Sequence, residues 1–139
     1  MAKQSGLGYS VAVDDSGGTP RTISNDITNF DYATPKAVQD ITGVDKSAME
    51  RLLLLADFSI TLNGVFNNAS NQSHDTFKTV PTGSVNRTVT LAITSPASVT
   101  STLANETLFT DYQIKRAADG ALTWVAPGVL ADGTVPAWT

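Results

Sequence analysis

Two segments of the chain alternate apolar and polar side chains with a period of two, from Asp57 to Phe66 and from Arg87 to Thr94. Successive side chains of a β-strand point to opposite faces, so each segment predicts a strand with one apolar face and one hydroxyl or amide face. The apolar positions, together with Phe77 and Trp124, form the predicted core: Phe58, Ile60, Leu62, Val89, Leu91 and Ile93. The polar positions form a second set: Ser59, Thr61, Asn63, Thr88 and Thr90.

Shorter patterns predict two further extended segments. Tyr9 to Asp14 places two valines before a turn, and Ile23, Ile27 and Phe30 mark a less regular stretch. Gly, Pro, Asn and Asp clusters bound these runs in the way that turns bound strands.

A hairpin and one helix are predicted in the remaining sequence. The runs from Leu108 to Arg116 and from Ala121 to Val125 flank Ala117 to Gly120, where an Asp-Gly pair suits a tight turn. Ser73 is placed to cap a short helix whose Phe77 anchors it to the sheet. A chain of 139 residues fits one core. The sequence therefore predicts a mainly β fold, a small antiparallel β-sandwich or barrel-like sheet with one short flanking helix, as a single domain over residues 1–139.

The segment from Val44 to Ala56 supports two interpretations. Ser47 to Glu50 matches a capping box and predicts the start of a helix, but the four leucines that follow leave no polar face. A segment this apolar is expected to be buried, and a second subunit is a candidate partner. The sequence does not distinguish a loop from a helix here. The residues predicted to contact another subunit are Val44, Lys46, Met49, Arg51, Leu52, Leu53, Leu54 and Leu55.

Charge and cysteine content narrow the function classes. Nine basic and thirteen acidic residues give a net charge of -4, which disfavours sequence-independent electrostatic binding to DNA phosphates. The chain has no cysteine, so disulfides, thiolate metal sites and cysteine nucleophiles are excluded. No apolar stretch follows Lys3 or reaches the length of a membrane span, and we expect neither export by a signal peptide nor membrane insertion.

Candidate catalytic chemistry is sparse. His74 is the only histidine, and the acidic residues have no spacing typical of paired catalytic carboxylates. Glycines at 6, 8, 17 and 18 lack the strand and helix context of a phosphate loop and predict turns. We therefore predict no catalytic residue, no metal site and no cofactor.

Four segments resemble the major tail tube protein of long-tailed, siphovirus-type bacteriophages. They are Met1 to Gly8 with the strand after it, Asp40 to Arg51, Asp57 to Ile60, and Ala117 to Leu122. They occur in the same order as in that family and lie at both ends and in the middle of the chain. Two segments depart from it, since Leu52 to Leu55 are more apolar than the family's sequence there and Val129 to Thr139 has no firm counterpart.

The resemblance implies a structural virion protein with the tail tube fold, made in the bacterial cytoplasm. Hexameric rings would stack into a tube that conducts double-stranded DNA from the head without sequence-specific binding. The implied partners are further copies of the chain, the tape measure protein and the tail terminator. The expected assembly segments, which would bridge rings, are an N-terminal arm at residues 1–8, an inter-ring loop at residues 43–56 and a C-terminal arm at residues 129–139. The hydroxyl positions at 59, 61, 63, 88 and 90 are the candidates for lining the lumen.

Three alternatives belong to other classes. A tail terminator shares much of this composition but stops at one ring. A sugar-binding or capsid-decorating β-sandwich is also acidic and rich in threonine, and Trp138 is its one candidate exposed ring. A small carboxylate hydrolase has the weakest support.

Overall fold

The computed structural model describes residues 5–94 and 100–139, and most of its regular structure is β-strand. The predicted mainly β fold is confirmed. The strands, in chain order, are β1 Ser10–Asp14, β2 Pro20–Thr22, β3 Ile27–Ala33, β4 Lys36–Asp40, β5 Arg51–Ala56, β6 Ser59–Val65, β7 Arg87–Thr94, β8 Thr100–Phe109, β9 Gln113–Arg116 and β10 Leu122–Leu130. The helix α1 covers Ser73–Phe77, and a 3-10 turn covers Ser24–Asp26.

Eight of these strands form one antiparallel sheet in the order β2-β1-β7-β8-β10-β6-β3, with β9 also paired to β10. β8 pairs with β10 only through Thr107–Phe109, while β9 pairs with the other end of the same edge of β10. Because β8 and β10 pair over only three residues, the sheet folds at this point into two layers. β2, β1, β7 and β8 form a first layer, and β9, β10, β6 and β3 form a second.

One hydrophobic core lies between the two layers. Its first-layer members include Val11, Val89 and Leu91, and the second layer supplies Leu62 and Trp124, each at most 1% exposed. Phe58, Ile60 and Phe77 are buried with them. Ile93, expected in the core, is only partly buried, because it pairs with Ser101 near the described end of β7.

The layers also meet at their open edges. The hydroxyl groups of Tyr9, just before β1, and Tyr32 on β3 are 2.6 Å apart. The ring of Phe30 packs edge-on against Tyr9 at a centroid distance of 4.9 Å. These aromatic contacts join the start of the first layer, next to β1, to β3, the last strand of the second layer.

The helix α1 forms at the predicted place, but its cap comes from elsewhere in the chain. Gln72 is the N-cap residue, and neither it nor Ser73 makes a side-chain capping bond. Instead the buried carboxylate of Asp26 accepts the main-chain N–H of Ser73 at 3.0 Å. The prediction that Ser73 caps the helix is therefore wrong. Phe77 anchors the helix, with its ring 5.1 Å from Phe109 and 5.2 Å from Trp124.

Two hairpins complete the fold. β9 and β10 are joined by the predicted turn, in which Gly120 has φ of +95° and donates its N–H to Ala117. The first strand of that hairpin is shorter than predicted, because Leu108 and Phe109 belong to β8. β4 and β5 form the second hairpin, which is a separate two-stranded sheet.

Candidate assembly surfaces

The hairpin of β4 and β5 projects from the sandwich as an arm of residues 36–56. Within the described chain its strands pair with each other and with no strand of the larger sheet. At its base Asp57 donates its N–H to the carbonyl of Pro35 at 2.8 Å. The capping-box pattern at Ser47 to Glu50 lies in an irregular loop and starts no helix, because Arg51–Ala56 instead pairs with β4.

All four consecutive leucines of the arm are exposed. Their exposed fractions run from 44% for Leu54 to 86% for Leu55. Val38 on β4 and Val44 and Met49 in the loop are exposed as well. Large apolar side chains gathered on one element are uncommon on the surface of a monomer and indicate a contact surface.

A β-bulge divides the leucines between the two faces of the arm. Val38 pairs with Leu53 and Lys36 with Ala56, so β5 has one more residue than β4 between these pairs. Such a bulge sets two residues opposite one, here Leu54 and Leu55 opposite Ala37. We call the side with Ala37, Gln39, Leu52, Leu54 and Leu55 the uncharged face. We call the other side, with Val38 and Leu53 among Lys36, Asp40 and Arg51, the charged-rim face.

The tip of the arm is ordered by Thr42. Its hydroxyl lies 2.6 Å from the Asp40 carboxylate and accepts the N–H of Glu50 at 2.8 Å. Hydrogen bonds from the hydroxyl and then the main-chain N–H of Thr42 hold the pKa of Asp40 below its ordinary value. Lys46 lies 3.9 Å from Glu50 and 4.0 Å from Asp45. The role of Thr42 was not predicted from the sequence, although Asp-x-Thr is a pattern typical of local side-chain turns.

The hydroxyl positions of the sandwich lie on two different outer faces. Thr88 and Thr90 point outward from the first layer, and Ser59, Thr61 and Asn63 point outward from the second. Since both layers send their apolar side chains into one core, these outer faces point away from each other. The structure therefore does not bring the two groups together on one surface.

The two outer faces also differ in chemistry. On the described parts of β1, β7 and β8, the outward positions hold small or hydroxyl side chains, the apolar Leu108, two carboxylates and no Lys or Arg: Ser10, Ala12, Asp14, Thr88, Thr90, Ala92, Thr102, Ala104, Glu106 and Leu108. The hydroxyl of Thr88 donates to the carboxylate of Glu106. On the second-layer face, the polar strand β6 lies beside Val125, Pro127 and Val129 of β10, and Asp31 of β3 and Lys115 of β9 add charges of both signs.

The C-terminal segment lies against the sandwich, whereas the described N-terminal residues are exposed. Thr139 and Thr102 exchange main-chain hydrogen bonds of 2.9 and 3.0 Å, and Trp138 packs 6.1 Å from Tyr32. Trp138 is about half exposed. Of the predicted N-terminal arm, residues 5–8 are exposed, and residues 1–4 lie outside the described chain.

The one histidine has a packing role. His74 Nδ1 lies 3.1 Å from the hydroxyl of Tyr112, and its ring packs on Phe66. Burial raises the pKa of Tyr112 to about 12, with the charge of Asp26 adding to the shift. Residues 5–94 and 100–139 contain no group of three side chains suited to a metal ion, and no helix long and apolar enough to cross a bilayer.

Comparison with known proteins identifies the class to which this fold belongs. No protein-family model matches the chain, and neither does any curated protein. Two solved structures match over 99% of both chains. One is from the virion of a native gene transfer agent particle, with a TM-score of 0.69 and 15% identity. The other is from the tail of an empty gene transfer agent particle with C6 symmetry, with a TM-score of 0.71 and 16% identity. The chain thus has the fold of a virion tail protein, and the fold class implied by the resemblance is confirmed.

Proposed function

We propose that the chain is the tube-forming subunit of a phage-like tail, located in the virion and structural in its role. Its hexameric rings stack into a tube through which DNA leaves the head. The observation that carries this proposal is the match of the whole fold, over 99% of both chains, to the tail of a particle with C6 symmetry. At 16% identity that match concerns the fold alone. Further support for the proposal comes from the surfaces of this chain.

The exposed arm supports assembly with further copies. Ring closure and stacking need contacts between unlike surfaces of identical subunits. The arm offers Leu52 to Leu55 outside the sandwich, where the described part of its own chain leaves them exposed. Burial of such side chains between subunits is favourable by about 25 cal/mol per Å² of apolar area.

The outer face of the first layer is the better candidate for the lumen. Thr88 and Thr90 lie there beside Glu106, with no outward Lys or Arg on the described parts of β1, β7 and β8. A surface without basic groups releases no counterions from DNA phosphates and so does not hold the passing duplex. Ser59, Thr61 and Asn63 then face away from the lumen, since their layer points in the opposite direction.

The same proposal includes the partners of a tail tube. The tape measure protein would occupy the lumen before the DNA, and the tail terminator would end the stack. The assignment of both partners depends on the resemblance of the four segments to the tail tube family. Passage of DNA through a tube needs no catalytic residue.

Negative-stain electron microscopy of the concentrated protein, beside its mass in solution, tests the proposal. We expect stacked rings or tubes for the parent chain and for Ala118→Asp, a control at the exposed β9–β10 turn. The double variant Leu53→Asp with Leu54→Asp is expected to remain a folded, unassembled subunit. A strictly monomeric parent chain at high concentration would contradict the proposal, and single rings that never stack would identify a terminator instead. If the double variant polymerises like the parent, the arm is not an assembly element.

A further inference from the structure

One edge of β8 has few strand partners. On its other edge, β8 pairs with β7 from Thr100 to Thr107. Here β10 pairs only with Thr107–Phe109, and the N–H of Ala131 adds one bond of 3.0 Å to the carbonyl of Glu106. An open strand edge is a template for pairing with further chains, and natural proteins cover such edges.

The C-terminal segment, residues 131–139, returns to the same edge of β8. Thr139 donates its N–H to the carbonyl of Thr102 at 2.9 Å and accepts the N–H of Thr102 at 3.0 Å. Alternate residues of a strand direct their main-chain groups to the same edge, so Ala104 presents its N–H and carbonyl between Thr102 and Glu106. The C-terminal segment thus covers this edge on both sides of Ala104.

Trp138 connects this edge to the other layer of the sandwich. It lies opposite Leu103, a buried residue of β8, in an antiparallel bridge. Its ring packs 6.1 Å from that of Tyr32 on β3, and the hydroxyl of Tyr32 is hydrogen-bonded to that of Tyr9. One residue of the C-terminal segment therefore joins β8 of the first layer to β3 of the second.

A local turn shapes the C-terminal segment for this return. The carboxylate of Asp132 accepts the N–H of Thr134 at 3.0 Å and its hydroxyl at 3.1 Å. Gly133 between them has φ of +77°, a conformation that glycine adopts readily. The segment is longer than the part of β8 that it spans, and the turn takes up part of the excess.

We propose that the C-terminal segment is a cover for the open edge of β8, and that it stays on its own β8 when copies assemble. The resemblance implies instead an arm that bridges rings at residues 129–139. Such an arm has to leave its own sandwich, whereas this segment is bonded to β8 near both of its ends. The persistence of the cover in a tube rests on the proposed tube-forming function, but the protection of the edge does not.

Loss of the cover would open both polar and apolar surface. The main-chain groups of Thr102 and Ala104 would lie free at the edge, and Leu103 and Tyr32 would lose the ring of Trp138. A strand edge of this kind pairs with other chains in more than one register. The expected result is irregular association in place of stacked rings.

A disulfide tests whether the cover stays closed. Thr102→Cys with Thr139→Cys puts thiols on two residues that exchange both main-chain bonds, a pairing with Cα atoms about 5.5 Å apart. Disulfides span Cα distances of about 4.4 to 6.8 Å, and the chain has no other cysteine. We expect the disulfide to form in the dilute subunit, and the oxidised and reduced proteins to form the same tubes. A folded subunit that forms no disulfide would overturn the proposal, as would tubes from the reduced protein only.

Opening the cover tests what it prevents. Trp138→Ala with Thr139→Pro removes the ring that packs on Tyr32 and the N–H that Thr102 accepts. Val135→Ala, at an exposed position of the same segment, is the matched control. At equal concentration we expect the double variant to bind thioflavin T several-fold sooner than the parent and the control, with irregular aggregates in electron micrographs. Unchanged kinetics would overturn the proposal. Regular tubes that form faster than those of the parent would do so too, because the segment would then act as a brake on assembly.

The two parts of the proposal fail separately. If the parent chain forms no tubes, the proposed function fails, and the persistence of the cover in a tube fails with it. Disulfide formation and thioflavin kinetics in the dilute subunit still decide whether the C-terminal segment protects the edge of β8.

Discussion

The guanidinium of Arg87 on β7 donates a hydrogen bond of 2.6 Å to the main-chain carbonyl oxygen of Thr76 in α1. The same group reaches the carbonyl of Asp14 at 3.0 Å and the hydroxyl of Thr79 at 2.8 Å. Arg87 is 2% exposed, and this burial lowers its pKa, although Asp15 and Asp14 act in the opposite direction. One cation thus joins the helix, the turn after it and the end of β1, which places α1 on the sheet.

Replacement of Arg87 by Met is expected to lower the free energy of unfolding by about 3 kcal/mol, because buried acceptors left without a donor cost about 1 to 3 kcal/mol each. Urea unfolding of the dilute subunit, followed by tryptophan fluorescence, measures the change. Arg87→Lys keeps the charge but lacks the planar guanidinium with its several N–H donors, and we expect an intermediate loss of unfolding free energy. An Arg87→Met protein as stable as the parent would show that these hydrogen bonds contribute no net stability.

Gly64 on β6 has no room for a side chain. A Cβ atom there would lie 2.2 Å from the carbonyl oxygen of Asp26 and 2.7 Å from the ring of Trp124. We expect Gly64→Ala to lower stability by about 2 to 3 kcal/mol through overpacking. Gly6→Ala, which meets nothing within 4 Å, is the matched control in thermal unfolding. Equal melting temperatures for the two variants would contradict the close packing at β6.

Asp15 makes the stability of the β1–β2 turn dependent on pH. Its pKa is lowered by the N–H of Thr19 first, and then by Arg21 and the N–H of Gly17. A carboxylate with a lowered pKa in the folded chain stabilises the fold above its unfolded pKa, and the contribution is lost as pH falls through the folded value. The parent should therefore melt above Asp15→Asn at neutral pH. The gap should shrink between about pH 5 and about pH 2. A gap that stays constant over this range would exclude the linkage.

Basic substitutions distinguish the two outer faces of the sandwich. In virions built with Thr88→Lys and Thr90→Lys subunits, DNA release is expected to slow, because lysines in the lumen bind phosphates. Ser59→Lys and Thr61→Lys, on the opposite face, should leave the release rate near that of the parent. Release kinetics at two salt concentrations provide the measurement, since the slowing should weaken as salt rises. The reverse order of effects would assign the lumen to the second layer.

Local patterns predicted much of the regular structure. The period of two around Phe58 to Leu62 and around Val89 to Leu91 places the same side chains inward in the structure. The Asp-Gly turn before β10 and the helix around Phe77 also form where predicted. These features depend on neighbouring residues, and an alternating strand leaves few choices for which face is buried.

Other features depend on residues that are distant in the chain. The capping box at Ser47 to Glu50 favours a helix by local rules, but β5 gains main-chain partners from β4 and becomes a strand. The cap of α1 comes from Asp26, which lies 47 residues before Ser73. No window of sequence around either element contains the partner that decides its structure.

Alternation along each strand is enough to predict that Thr88 and Thr61 lie on the polar sides of their strands. That these two sides face in opposite directions depends on how the strands are arranged in three dimensions. The cause is the short pairing of β8 with β10 at Thr107–Phe109, which folds one sheet into two layers. Likewise, four consecutive leucines indicated an apolar segment, but the register of β4 with β5 and its bulge decided which leucines share a face. Strand pairing is a long-range interaction, and it alone sets the relative orientation of surfaces that local sequence defines one at a time.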